Sequence, residues 1–416
     1  MATYDLTKLG KNAKETARIL RTLPSHAKNE ALQAMADTLR NHEATILAAN
    51  EKDVQNGKDN GLTNALIARL TLTAEKIEGM AQGIEKIIKL PDPLSQVADE
   101  WVNEDGLRIT KRIIPLGVIG MIYESRPNVT SDASALCLKS GNAVILRGGS
   151  EAIHSNQAIL NALQEGLAQT KVPKEAIQLI EDTSREVASE FMTMVDYLDC
   201  LIPRGGAGLI KAVSRQATVP VIETGVGNCH LYVHQAADLS KAHDIVMNAK
   251  LSYPSACNAV ETLLVDQSVA KDLLPSLEKE LLQEGVVIKA VGSAKEYLTQ
   301  SQEGNEEDLH QEYLDLALAV KLVDGYDEAV DHIEHYSTGH SDGIVSQDYS
   351  VAQNFMNDIN SATVYVNAST RFTDGEVFGF GGEIGISTQK LHARGPMGLE
   401  ALTSYKYTVQ GDGHTR

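Results

Sequence analysis

At 416 residues the chain is long for one hydrophobic core, so two or three domains are expected. Its 43% hydrophobic and 22% charged composition is that of an ordinary globular protein, and a net charge of −19 argues against nucleic acid or an anionic membrane as a general partner. No stretch approaches the roughly 18–20 continuous apolar residues that a membrane helix needs.

The N-terminus, Met1-Ala2-Thr3-Tyr4-Asp5, lacks a basic region followed by an apolar run, so no secretory leader is expected. The four cysteines, Cys137, Cys200, Cys229 and Cys257, are far apart, which suits free thiols in a reducing cytoplasm. Residues 5–90 read as helices: Leu32, Met35, Ala36 and Leu39 recur at helical spacing, as do Ile77, Met80, Ile84 and Ile88. Pro24-Ser25 marks a helix start with Ser25 as the cap, and the stretch Asn56 to Gly61 reads as a loop. This region is expected to be a helical cover for a sheet. Pro91-Asp92-Pro93 ends it. Trp101-Val102 and Leu107 to Ile114 flank the turn Glu104-Asp105-Gly106 and read as a β-hairpin. An isolated hairpin is marginally stable, so this one should lean on another domain or subunit.

From Pro115 short apolar runs alternate with helical segments. The runs are 117–123, 143–146, 177–180, 198–202 and 219–222; the helices fall at 128–140, 151–169, 184–195 and 206–217. Such alternation indicates a parallel sheet covered on both faces, with ligands beyond the carboxyl ends of its strands. Two strand ends are rich in glycine: Leu146-Arg147-Gly148-Gly149-Ser150 and Pro203-Arg204-Gly205-Gly206. Glycine lets the backbone approach a phosphate, helix N-termini offer free N–H groups, and Arg147 and Arg204 add cationic donors. Each loop alone could be a tight strand–helix turn; two in one array, both with arginine, point to a nucleotide. Glu223, before Thr224-Gly225-Val226-Gly227, reads as a general base, a hinge residue or a solvated loop carboxylate.

The stretch from Ser252 to Thr262 carries Cys257 between Pro254 and Asn258. Turn-forming residues precede the cysteine and an apolar run follows it, which places the sulfur at a loop-to-element junction where activated nucleophiles often sit. Beyond it, 261–265, 286–290, 316–323 and 364–367 read as strands, and 269–284, 327–336 and 350–359 as helices. The acidic stretch 302–308 reads as a solvated loop. Ser369, Thr370 and Arg371 offer hydroxyls and a guanidinium to an anion, although a lone arginine is also an ordinary surface charge. Residues 401–409 close as a strand, a partner for the hairpin. His230 and His234 after Cys229, and His332 with His335, have ligand-like spacing, but no cluster completes either set. Satisfied structural histidines and no metal are expected.

Together these residues carry a resemblance to the γ-glutamyl phosphate reductases, a branch of the aldehyde dehydrogenase superfamily. It rests on Ser125-Arg126-Pro127-Asn128-Val129-Thr130, on the run from Leu138 to Gly149, and on Pro203-Arg204-Gly205-Gly206. It continues through Gly225 to His230, Cys257-Asn258-Ala259, Tyr365 to Asp374 and Glu383 to Pro396, and spans nearly the whole chain. A departure is the stretch Ser252 to Ala256, which is more basic in the family.

The resemblance implies an α/β, aldehyde dehydrogenase-like fold: a Rossmann-type NADPH-binding domain (1–100 and 115–231), an α/β catalytic domain (232–398) and a small β oligomerisation arm (101–114 and 399–416). It implies NADPH-dependent reduction of L-glutamyl 5-phosphate, a small-molecule acyl phosphate, to glutamate 5-semialdehyde, the second step of proline synthesis. Cys257 would be the thioester-forming nucleophile and Asn128 the oxyanion-stabilising amide. Arg147, Gly148, Gly149, Ser150, Pro203, Arg204, Gly205, Gly206, Glu223 and Glu312 would hold the cofactor, Glu312 at the nicotinamide ribose. Relatives that use NAD often place a carboxylate where Ser150 stands, so a neutral residue beside Arg147 favours NADPH. Arg126, Ser369, Thr370 and Arg371 would hold the substrate carboxylate or phosphate. A cytoplasmic homodimer or higher homo-oligomer is expected, with a transient contact to glutamate 5-kinase. Two other readings of the same residues are a hydrolytic NAD(P)-dependent aldehyde dehydrogenase, with Glu223 as base, and a cofactor-free Cys–His hydrolase.

Overall fold

The computed structural model describes residues 5–416; Met1 to Tyr4, on which the reading of the N-terminus rests, lie outside the described residues. The chain divides into two compact units, one of Met1–Thr224, Gly379–Gly385 and Met397–Arg416, the other of Gly225–Phe378 and Ile386–Pro396.

The first unit opens with α1 (Leu6–Leu20), α2 (Ser25–Asn41), α3 (Glu43–Asp59), α4 (Asn64–Leu70) and α5 (Ala74–Lys89). Asp5, Thr63 and Thr73 cap α1, α4 and α5 by accepting the N–H of Lys8, Leu66 and Lys76. Two expectations fail here. Ser25 begins α2 but does not cap it; Pro24 takes that place, and no side chain caps the helix. Residues 56–59 continue α3, because Gly57 packs against the side chains of Leu62 and Ile67 and that contact outweighs local turn propensity.

The hairpin strands are β1 (Val97–Val102) and β2 (Arg108–Pro115). There follow β3 (Val118–Tyr123), α6 (Asn128–Lys139), β4 (Ala143–Gly148), α7 (Ile153–Ala168), β5 (Ile177–Leu179), α8 (Arg185–Phe191), β6 (Cys200–Arg204) and α9 (Ala207–Gln216). The strands β5-β4-β3-β6 form a parallel sheet in that order, nearly every residue buried, as two covered faces require. The expected strand at 219–222 is reduced to one bridge between Val221 and Leu201, since Pro220 has no N–H to donate. The expected helix at 184–195 stops at Phe191, and the Met192 carbonyl accepts the N–H of Thr218 at 3.1 Å.

The second unit holds β7 (Cys229–Val233), α10 (Leu239–Leu251), β8 (Val260–Asp266), α11 (Ala270–Gln283), β9 (Val287–Val291) and β10 (Gln302–Gly304). It continues with β11 (Ala317–Val323), α12 (Tyr326–Tyr336), β12 (Ser341–Val345), α13 (Tyr349–Asp358), β13 (Thr363–Val366), and the short pair β14 (Ile386–Ser387) and β15 (Gly395–Pro396). Its parallel sheet runs β10-β9-β11-β8-β7-β12-β13. Leu231, Leu263, Val265, Ile288 and Val320 centre its core. The acidic stretch forms β10 and an exposed turn in which Asn305 and Asp308 cap each other's backbone. Back in the first unit, β16 (Thr403–Gln410) pairs with β2 from Thr403–Pro115 to Gln410–Arg108, so the tail completes a three-stranded sheet with the hairpin. No helix of the described residues is long and apolar enough to cross a membrane.

Candidate active site

In the first unit the chain leaves β3 through Glu124, Ser125, Arg126 and Pro127 into α6. Ser125 adopts a left-handed φ of 42°, and its N–H and Oγ both donate to Glu151 Oε1, at 2.7 and 2.8 Å. These bonds hold a conformation that a non-glycine residue otherwise avoids. The turn delivers Asn128 to the start of α6, exposed, with Nδ2 donating to Asp132 Oδ2 at 2.9 Å. Burial pushes the Asp132 carboxyl up to about 6, against the opposing effects of Asn128, Ser131 and Arg204. Arg204 itself pairs with Glu383 at 3.3 Å.

Both glycine loops follow strand ends as expected. Gly148 and Gly149 are buried, and a side chain on Gly149 would meet the Glu151 carboxylate. Ser150 is exposed. Arg147 donates through Nη2 to the Thr183 carbonyl at 2.7 Å, and its Nε is buried without a hydrogen-bond partner. Gly205 and Gly206 are exposed at the start of α9, and the Gly206 N–H donates to Glu124 Oε2 at 3.0 Å. That helix end therefore already takes an anionic oxygen, which is the behaviour a phosphate needs. The Pro203 carbonyl accepts Thr224 Oγ1 at 2.8 Å, which ties the glycine loop to the segment carrying half-buried Glu223.

In the second unit Cys257 lies in the turn between α10 and β8. It is the partly exposed one of four free cysteines; Cys137, Cys200 and Cys229 are buried. Burial pushes the Cys200 thiol up to about 12 and those of Cys137 and Cys229 well above the usual range. Since the thiolate is the nucleophile, those three are chemically quiet at neutral pH. The Cys257 carbonyl is lodged against Gly227, where a Cβ would overlap it, and accepts from Cys229 Sγ at 3.2 Å. The Gly227 N–H donates to Glu312 Oε1 at 2.6 Å. Glu312 is thus brought to the Cys257 loop.

Arg371 also belongs to that loop. Its Nε donates to Ser252 Oγ at 3.0 Å, its Nη1 to Asn258 Oδ1, and its guanidinium lies 5.7 Å from the Tyr253 ring centre. Thr370 Oγ1 donates to the Asn258 carbonyl at 2.7 Å, and Ser369 Oγ accepts the Arg371 N–H at 3.3 Å. Ser369 and Thr370 are buried and hold the arginine; Arg371 remains half-buried. Asn258, absent from the sequence-based candidates, is the clamp between the two loops: its Nδ2 also donates to the Thr373 carbonyl at 2.8 Å. An amide next to Cys257 was the available signal.

The histidines depart in part from the expectation. His230 Nδ1 contacts the Asn228 carbonyl at 3.0 Å and the ring packs 5.4 Å from that of His332, but Nε2 of both is buried without a hydrogen-bond partner. Burial lowers His332 to about 2. The His332 ring is therefore neutral, and it stacks on the Tyr336 ring at 4.4 Å. Among the described residues no three His, Cys, Asp or Glu side chains gather as a metal site.

The chain is similar to known proteins along nearly its whole length. The profile of the aldehyde dehydrogenase family matches residues 2–290. A γ-glutamyl phosphate reductase of Heliobacterium modesticaldum is 54% identical over 412 residues, 99% of each chain. One from Enterococcus faecalis is 52% identical over 416 residues, 100% of each chain. The crystal structure of the Thermotoga maritima γ-glutamyl phosphate reductase superposes with a TM-score of 0.96 at 47% identity, covering 99% of this chain and 100% of that one.

Proposed function

This chain belongs to the aldehyde dehydrogenase family, in the branch of the γ-glutamyl phosphate reductases, and we propose that it reduces L-glutamyl 5-phosphate to glutamate 5-semialdehyde through a thioester on Cys257. The observation that carries the assignment of the nucleophile is that Cys257 alone among the four thiols is partly exposed, in a loop clamped by Gly227 and Arg371.

The thiolate attacks the acyl carbon, the carbonyl oxygen takes the negative charge, and phosphate leaves as the tetrahedral species collapses to the thioester. An acyl phosphate is already activated, so no water need be deprotonated, and Glu223 is not required as a base. Asn128 is assigned to the developing oxyanion: Asp132 engages one N–H of its amide, fixes which end is the donor, and leaves the other N–H to bind the oxygen. Arg371 is assigned to an anionic group of the substrate, for which its planar guanidinium is suited. Ser369 and Thr370 support it, and Arg126 is a second candidate for the substrate anion.

The residues of the first unit fit a nicotinamide dinucleotide. The buried, unmatched Nε of Arg147 and the anion-accepting N–H of Gly206 are the supporting observations. Arg147 through Ser150 and Pro203 through Gly206 would hold it, with Glu312 proposed for the nicotinamide ribose and Glu223 as a further cofactor residue. NADPH, when bound, supplies the hydride that converts the thioester to the aldehyde. Ser150 adds no negative charge that would repel a 2′-phosphate, which is the ground for preferring NADPH to NADH. We further assign the domains 1–100 with 115–231, 232–398, and 101–114 with 399–416 to cofactor binding, catalysis and self-association. The exposed Trp101, Tyr405, Tyr407 and Val409 support a homo-oligomer formed through the last of these.

The experiment that tests the thioester is a burst measurement without phosphate. Enzyme mixed with glutamate 5-semialdehyde and NADP⁺ should yield one NADPH per active site and a glutamyl adduct on the peptide containing Cys257. Continuous turnover without phosphate would favour the hydrolytic alternative.

A further inference from the structure

Under the Cys257 loop lies a buried ion pair that the chemistry above leaves unused. Lys250, in the last turn of α10, and Glu261, the second residue of β8, are both fully buried, with Nζ 2.7 Å from Oε2. They flank the two ends of the loop 252–259. Each also reaches a third segment. Lys250 Nζ donates to the Asp315 carbonyl at 3.1 Å, and the Leu314 N–H donates to Glu261 Oε1 at 3.1 Å. Leu314 has a left-handed φ of 53°, a conformation that leucine holds only where its surroundings enforce it. Two residues earlier is Glu312, which accepts the Gly227 N–H, and Gly227 abuts the Cys257 carbonyl. The contacts close a ring: the loop ends, the 312–315 segment, Gly227 and the nucleophile.

Stability does not by itself account for this pair. Desolvating two ions offsets much of their attraction, and apolar residues of similar volume are often as stable or more so. Burial raises Glu261 to about 7 and lowers Lys250. What the charged groups provide, and methyl groups cannot, is a directed acceptor for the Leu314 N–H and a directed donor to the Asp315 carbonyl.

We propose that Lys250 and Glu261 are positioning residues that set the register between the Cys257 loop and the Glu312 segment, and so between the nucleophile and the carboxylate assigned to the nicotinamide ribose. The inference rests on the roles given to Cys257 and Glu312 above. The test compares wild type, the double variant K250M/E261L and the single variant E261Q, all full length. Four quantities are read: kcat for phosphate-dependent semialdehyde oxidation, KM for NADP⁺, NADP⁺ affinity by fluorescence titration, and the rate and site of alkylation by iodoacetamide.

The double variant should fold, with Cys137, Cys200 and Cys229 still unlabelled and Cys257 alkylated within about threefold of the wild-type rate. Its kcat should fall at least tenfold, and KM and dissociation constant for NADP⁺ should rise at least threefold. E261Q keeps an acceptor for Leu314 and should lie between the two. Wild-type kcat, KM and affinity in the double variant would overturn the proposal. If the double variant labels at all four thiols, it has not folded, and E261Q decides: unchanged kcat and NADP⁺ affinity there also overturn it. A wild-type enzyme without phosphate-dependent turnover counts against the functional reading instead, and the titration still reads the register.

Discussion

The carbonyl oxygen of Cys257 occupies the place where a side chain on Gly227 would begin. The neighbour is backbone, which cannot rotate away, so a Cβ at 227 must displace the Cys257 loop or the Gly227 N–H that Glu312 accepts. G227A is therefore expected to lower stability by about 1–3 kcal/mol, the usual effect of overpacking, and to lower kcat at least tenfold. Thermal melting and steady-state rates check it; a G227A enzyme with wild-type kcat would contradict the fit.

Alkylation should discriminate sharply among the thiols. Burial holds Cys137, Cys200 and Cys229 protonated, whereas Cys257 is partly exposed. At pH 8 iodoacetamide should label Cys257 at least tenfold faster than any other cysteine, as read by peptide mass spectrometry. Saturating γ-glutamyl phosphate should protect it.

Arg371 donates to both Ser252 and Asn258, so it braces the Cys257 loop beside the role proposed for it at the substrate anion. R371K keeps the charge but loses the planar fork. It should raise KM for the acyl phosphate or the semialdehyde about tenfold and leave KM for the nicotinamide cofactor within about twofold. Equal changes in both would assign Arg371 a purely structural role.

Asp132 gives a pH-dependent prediction. Its folded carboxyl is raised to about 6, chiefly by burial, above the ordinary carboxylate value near 4. The folded state thus holds this proton more tightly than the unfolded chain. The stability it contributes is complete below about pH 4 and is lost as pH rises through about 6. D132N cannot ionise, so its melting temperature relative to wild type should climb between pH 4 and pH 7. A difference independent of pH would show that Asp132 ionises freely in the fold.

Much of the framework was legible in the sequence where local pattern and burial agree. The alternating runs from Val118 to Arg204 gave a covered parallel sheet, and the expectation that residues 401–409 partner the hairpin is met by the pairing of 403–410 with 108–115. Strands β7 and β12 escaped because they bury polar groups: His230 N–H donates to Asp342 Oδ1 at 2.7 Å in the sheet interior, which disguises both runs as loops. The place of Cys257 in a turn ahead of a strand was legible through its turn-forming neighbours. Its clamps were not, since Gly227, Glu312 and Arg371 reach it from far along the chain and nothing local signals a contact over such separations.

Acyl transfer between Cys257 and phosphate is the step on which the proposed function depends. The most direct measurement is the reduction of NADP⁺ by glutamate 5-semialdehyde as phosphate is varied, in wild type and in C257A. Sustained turnover should rise with phosphate, saturate, and be lost in C257A while the melting temperature stays close to that of wild type. Sustained turnover without phosphate, or activity retained in C257A, would contradict that function.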